Sequence, residues 1–277
     1  MRKLFSILVL TILFCMNGYS QSNANYEKFD SNFSIEQSTN DVAQYDNISL
    51  TNSDITRRRG WAIAGADAAG ALGGAGSVAS IASWFSWTPA APVAAIAVGI
   101  GAIVGGVGTS LAVGRVAGVT PKDPSKIDYS NVILSDNYFD QVGNLHNRIL
   151  FDYYSKNKEY SIKSYYDFLE KNKSNYGIKE LNIKYEYLEA QDKLYSNLSD
   201  IEIINKYTIE NLPTNVDKSY YTKFLNELAD IDDKNNAIKF IKNFEQKELV
   251  NSKYDDKTKG ILGGFFSTYR HSLALWY

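Results

Sequence analysis

The spacing of apolar and polar positions divides the chain into stretches of different character. Residues 21–56, QSNANYEKFDSNFSIEQSTNDVAQYDNISLTNSDIT, scatter their apolar residues with neither a period of 2 nor one of 3.6. Such a stretch buries too little surface to offset its ordering entropy, so 21–59 reads as a disordered polar arm, a spacer. From Gly60 to Val119 the pattern inverts, with no charge between Asp67 and Arg115. Pro121 and Pro124 in TPKDPSKIDYSN stop any helix there, which makes 120–136 a linker. Over 137–277 apolar residues return at helical spacing: Phe139, Val142, Leu145, Ile149 and Tyr153 form one stripe, and Tyr220, Phe224, Leu228 and Ile231 another. Six or seven helices are expected here, with Ser199 to Glu202 as a capping box, Asp232 or Asp233 capping KNNAIKFIKNF, and Pro213 separating two of them. The last segment, DDKTKGILGGFFSTYRHSLALWY, is apolar over more than one stripe and belongs at the centre of a bundle. Nothing alternates with a period of 2 for long enough to argue a sheet. The expected fold is all-α: a Gly/Ala-rich helical hairpin over 60–119 followed by a C-terminal helical bundle over 137–277.

Composition sharpens the hairpin. Residues 60–119 hold thirteen of the chain's nineteen glycines and three of its four tryptophans. Each glycine costs a helix about 1 kcal/mol relative to alanine, so something must offset them. Gly70 with Gly74, Ala97 with Gly101 and Gly105, and Gly114 with Gly118 lie four apart, each set on one helical face. Small residues at that spacing let two backbones approach closely, the glycine-zipper form of helix contact. Trp61 opens the segment, and Trp84 and Trp87 stand beside TPAAP, where Pro89 and Pro92 enforce a turn. The distance from Trp61 to Trp84 along a helix is roughly 35 Å, close to a bilayer core with its edges, which tryptophan prefers. The hairpin is therefore expected to run over 61–83 and back over 92–118. Trp61, Trp84 and Trp87 then serve as membrane-interface residues, with Arg57, Arg58, Arg59 and Arg115 gathered at the open end.

The first residues, MRKLFSILVLTILFCMNGYSQ, show two basic residues, an apolar run and a small-residue end, the pattern of a secretory signal peptide cleaved after Ser20. That implies export to a periplasmic, envelope-associated or extracellular place. Cys15 follows Phe14 rather than a small residue, against a lipid anchor. It is the only cysteine, so packing alone must stabilise the rest. Losing Arg2 and Lys3 takes the formal net charge from -2 to -4, no general attraction for nucleic acid.

Reaction chemistry is scarce. The two histidines, His146 and His271, have no HExxH spacing, and a zinc site would have to recruit carboxylates such as Asp136 or Asp140. There is no Gly-x-Ser-x-Gly elbow, and GADAAGALGGAG lacks the Gly-Lys-Ser/Thr ending of a phosphate loop. No catalytic residue, metal or cofactor is expected. The charge-free Ala/Gly hairpin is similar in design to the hydrophobic hairpins of pore-forming colicins and glycine-zipper bacteriocins. YFDQVGNLHNRIL, residues 138–150, resembles an Asp-x-x-Gly-x-x-His-Asn pattern of secreted bacterial proteins that also carry a Gly/Ala-rich segment. That resemblance implies a shared role, of unassigned kind, for Asp140, Gly143, His146 and Asn147.

The expectation from sequence is an exported, non-enzymatic protein that engages a lipid bilayer through its hairpin, toxin-like or envelope-associated, with copies meeting through the same small-residue faces. The alternative is a soluble helical binding module in which the hairpin is structural.

Overall fold

The computed structural model describes residues 52–77, 93–134, 139–157, 160–178, 181, 183–196, 201–250 and 253–277. The signal segment, most of the polar arm, Trp84, Trp87 and the turn prolines, Pro89 and Pro92, lie outside the described residues. Among the described residues the fold is all-α, with nine α-helices and no strand. They are α1 (Asn52–Ser77), α2 (Val93–Ala117), α3 (Asp140–Lys156), α4 (Ile162–Asn172), α5 (Tyr185–Tyr195), α6 (Ile201–Glu210), α7 (Lys218–Ala229), α8 (Lys234–Val250) and α9 (Asp256–Trp276). Residues Asn52 to Tyr277 form one compact unit, so the hairpin and the C-terminal helices share a single core.

The first helix starts at Asn52, not at Gly60, and takes the last residues of the expected arm into the fold. Asn52, Ser53 and Asp54 are residue types favoured at a helix start, a signal weaker than the compositional break at Gly60. Asp233 caps α8 by accepting from the Asn236 N–H at 2.8 Å, and Asp255 caps α9 by accepting from Thr258 N–H at 2.7 Å. Pro213 stands in the break between α6 and α7.

Helices α1 and α2 run antiparallel, with Gly70 beside Gly105 and Gly74 beside Gly101. A methyl on Gly74 would fall on the Gly101 carbonyl, and one on Gly105 would fall on the Gly70 carbonyl and 3.0 Å from the Gly74 Cα. The loss of side chains here is what lets the two backbones touch, and the contact is within one chain. Thr109 secures the same face, its hydroxyl lying 2.8 Å from the Ala66 carbonyl of the opposite helix.

Gly114 and Gly118 behave differently from the other small residues. Gly114 makes room for the Tyr154 hydroxyl, 3.1 Å from a would-be methyl, rather than for α1. Gly118 meets nothing within 4 Å; its φ of +66° and its N–H bond to the Gly114 carbonyl make it the left-handed cap that ends α2. It is not a helix-contact point.

Helix α9 lies across α1, α2, α3 and α8. Every residue from Gly260 to Trp276 is buried, which fits its many-sided apolar pattern. On one side Phe224, Phe240, Phe244 and Phe266 form an aromatic cluster between α7, α8 and α9. The stripe on α3 is buried throughout, but on α7 the inward face is Tyr221, Phe224, Leu225 and Leu228, while Tyr220 is 40% exposed and Ile231 partly so. Tyr220 instead stacks on Phe244 at the rim, 4.8 Å between centroids.

Candidate functional site

Two polar clusters meet on α3, and the Asp140, Gly143, His146 and Asn147 pattern is what joins them. All four residues are buried. At a spacing of three or four they follow one another around the face that α3 turns to α9 and the hairpin.

The first cluster surrounds Asp67, the single charge in the apolar part of the hairpin, at 0% exposure. An isolated carboxylate there would cost several kcal/mol. It is met by donors from two helices: the Ser110 hydroxyl of α2, the Ser272 hydroxyl of α9, and the Trp276 indole N–H of α9 at 2.9 Å. Burial raises the Asp67 carboxyl above its ordinary range, opposed by His146 and these three donors. His146 Nε2 stands 3.8 Å from the Asp67 carboxylate and 3.4 Å from the Ser110 Oγ. It reaches them because Gly106 leaves space: a methyl there would sit 3.0 Å from the imidazole. Asn147 orients the ring. Its amide N–H₂ donates to the His271 carbonyl at 2.8 Å, which turns its oxygen toward His146 Nδ1 at 3.0 Å.

The second cluster is built on Arg270, also at 0% exposure. Its guanidinium bonds both Glu245 oxygens at 2.7 and 3.2 Å, Asp140 at 2.5 Å, and the Val132 carbonyl. Burial disfavours the charge, but Glu245 and Asp140 more than offset it and hold the Arg270 pKa up. Asp140 gains on the exchange: burial pushes its carboxyl up, and His271 and Arg270 pull it below the usual range. Its other oxygen accepts from the Leu134 N–H at 2.5 Å, fixing the 129–134 segment, whose 131 and 133 carbonyls also accept from Lys242 at 3.2 and 2.6 Å.

Gly143 allows α3 and α9 to close. A methyl there would lie 2.5 Å from the Ser267 carbonyl and 2.6 Å from the His271 ring, while the Gly143 N–H donates to the Ser267 hydroxyl at 3.1 Å. His271 is therefore wedged between Gly143 and Tyr129, on whose ring it stacks at 5.3 Å. Its Nε2 is 3.7 Å from Asp140, and neither ring nitrogen has a hydrogen-bond partner. Burial, first of all, holds its pKa below the ordinary value.

A cleft of about 410 Å³ opens beside this point, lined by Ile133, Gln141, Leu145, Arg148 and Tyr176, among others. Asp140, Asn144, Asn175 and His271 complete its wall. Gln141, Asn144 and Arg148 are exposed on successive turns of α3, whereas His271 closes the inner end. The Arg148 guanidinium lies over the Tyr176 ring at 5.5 Å, and Tyr176 is held by its bond to Asp152 at 2.8 Å.

The other residues singled out from sequence are scattered. Trp61 is 8% exposed and belongs to the core. Arg115 is exposed and is tied to α5 at the surface, by Asp192 at 2.9 Å and Ser196 at 3.0 Å. Arg57, Arg58 and Arg59 lie on α1, with side chains outside the described residues. Asp140, named from sequence as a carboxylate that a zinc site would recruit, serves Arg270 and faces His271. The acid beside His146 is Asp67. Ser110, His146 and Asn147 stand in line, but all three are at 0% exposure and none lines the cleft, so the arrangement acts as a lock between helices. No group of three or more metal-ligand side chains is found among the described residues. Sequence reasoning missed Arg270 with Glu245, Ser272 and Arg148. The available signal was a charge inside an apolar helix, at Asp67 and Arg270, since such a group must find partners. Comparison with protein-family models, curated proteins and solved structures gives no match to this chain.

Proposed function

We propose that this chain is a non-enzymatic helical binding module in which the hairpin is the structural centre and the cleft on α3 is the binding site. One observation carries the reading. Every residue from Gly60 to Ala75 except Gly73, and every residue from Gly99 to Gly114, is buried, and the hairpin's one internal charge is bonded to α2 and α9. The small-residue faces are occupied by each other, so neither a lipid bilayer nor a second copy finds them free. Export through the secretory pathway remains part of the proposal on the strength of the leader pattern alone.

A second reading, that the hairpin engages a membrane, is favoured by the absence of charge between Asp67 and Arg115. Among the described residues no helix is long and apolar enough to cross a membrane. Engagement would require α1 and α2 to leave the bundle and break the Asp67 bonds. Flotation of the full chain with neutral and with anionic vesicles decides between the two. The binding-module reading expects the protein to stay with the dense fraction in both cases, and Asp67→Ala to lower its melting temperature. Flotation of the folded wild-type protein supports the membrane reading and refutes the first.

A further inference from the structure

The cleft's chemistry is specific enough to name a ligand class. Its mouth offers one cation, Arg148, whose guanidinium makes no hydrogen bond or ion pair among the described residues and lies over the Tyr176 ring at 5.5 Å. A planar guanidinium presented this way matches a carboxylate with two parallel N–H bonds. Gln141 and Asn144 supply uncharged amide groups on the same helix face, and Leu145 and Ile133 supply apolar wall. At the inner end His271, fully buried, has no hydrogen-bond partner at either ring nitrogen, its Nε2 standing 3.7 Å from the Asp140 carboxylate. A buried imidazole without partners leaves a deficit that a bound polar group removes. Because burial disfavours its cation, the ring offers one donor and one acceptor, which suits a hydroxyl rather than a second charge.

We propose that the cleft binds a small organic acid, its carboxylate on Arg148 and an uncharged hydroxyl at the far end on His271, with an apolar body between them along Leu145 and Tyr176. One uncommitted cation balances one carboxylate, whereas a dianionic phosphate would bury unpaired charge. The inference rests on the binding-module reading, whose flotation test makes no use of a ligand. The two therefore fail separately.

The test uses four probes with the full-length protein: 4-hydroxyphenylacetate, its methyl ester, phenylacetate and inorganic phosphate, with binding followed by NMR shifts of the Leu145 methyls. The expected order has the hydroxy acid tightest, with about tenfold loss for the ester and a further measurable loss for phenylacetate, tenfold corresponding to about 1.4 kcal/mol. Arg148→Gln, on an exposed side chain, should abolish the acid-over-ester preference at unchanged melting temperature. His271→Phe should keep that preference and erase the advantage of the hydroxyl. Should His271→Phe fail to fold, the wild-type comparison of the hydroxy acid with phenylacetate still tests the inner contact. Absence of binding by either acid, an acid-over-ester preference that survives Arg148→Gln, equal affinity for phenylacetate, or Arg148-dependent binding of phosphate as tight as that of the acid overturns the proposal.

Discussion

Gly105→Ala adds a single methyl at the point where the hairpin's two backbones touch, and two physical effects oppose each other there. Helix propensity alone favours alanine by about 1 kcal/mol. Packing opposes it, because the methyl lands on the Gly70 carbonyl, 3.0 Å from the Gly74 Cα and 3.2 Å from the Gly70 carbonyl carbon. These are backbone atoms, so no rotamer change relieves the contact. Restoring ordinary carbon separations of about 3.5–4.0 Å means moving α1 from α2 by roughly 0.5–1 Å, which forfeits a quarter to a half of each dispersion contact along the face. Overpacking costs about 1–3 kcal/mol, with a backbone collision at the upper end, so the net destabilisation is about 2 kcal/mol. For a unit of this size that lowers the melting temperature by about 4–8 °C. Gly76→Ala is the control: it lies in the partner helix of the hairpin, α1, is exposed, and meets nothing within 4 Å. It should leave stability unchanged or raise it by up to about 1 kcal/mol. Thermal unfolding followed by circular dichroism reads both. If Gly105→Ala melts at or above wild type, the backbones are not in contact at this face, and the account of the hairpin fails.

Two further outcomes follow from the polar clusters. Arg270→Leu leaves Glu245 and Asp140 without their cation inside the core, and urea unfolding should show a loss of about 3–5 kcal/mol, part of which returns in the Arg270→Leu/Glu245→Leu double variant; a loss below about 1 kcal/mol would contradict the buried pairing. The His271 pKa is held below 6.5 by burial, with Asp140, Arg270, His146 and Tyr129 around it, so the unfolded chain takes up a proton there before the native one does. Stability should therefore fall as pH drops through about 6.5 toward the native pKa, and fall less steeply in His271→Gln; parallel pH profiles for the two proteins would show that the ring does not titrate differently on folding.

The helical class was legible in the sequence because period and breakers are local properties. The α3 stripe from Phe139 to Tyr153, the cap at Asp233, the break at Pro213 and the inward position of α9 all follow from which residues stand three or four apart. The spacing of Gly70 with Gly74 and of Gly101 with Gly105 likewise marked faces fit for close approach. Spacing fixes a face but not what lies opposite it. Gly114 turned to Tyr154, Gly118 became a cap through its positive φ, and Gly106 and Gly143 made room for imidazole rings. Those outcomes depend on segments far apart in the chain. The same limit governed the charges. Asp67 and Arg270 stand amid apolar neighbours, where a charge must be paired, a signal the sequence carried for both and sequence reasoning used for neither partner set. Only the packing of α9 across α1, α2 and α3 decided that Ser110, Ser272 and Trp276 answer the first, and Glu245 and Asp140 the second. Hydrophobic periodicity is written residue by residue. The pairing of a buried charge is settled when whole helices meet, because desolvation is imposed by neighbours that no local stretch contains.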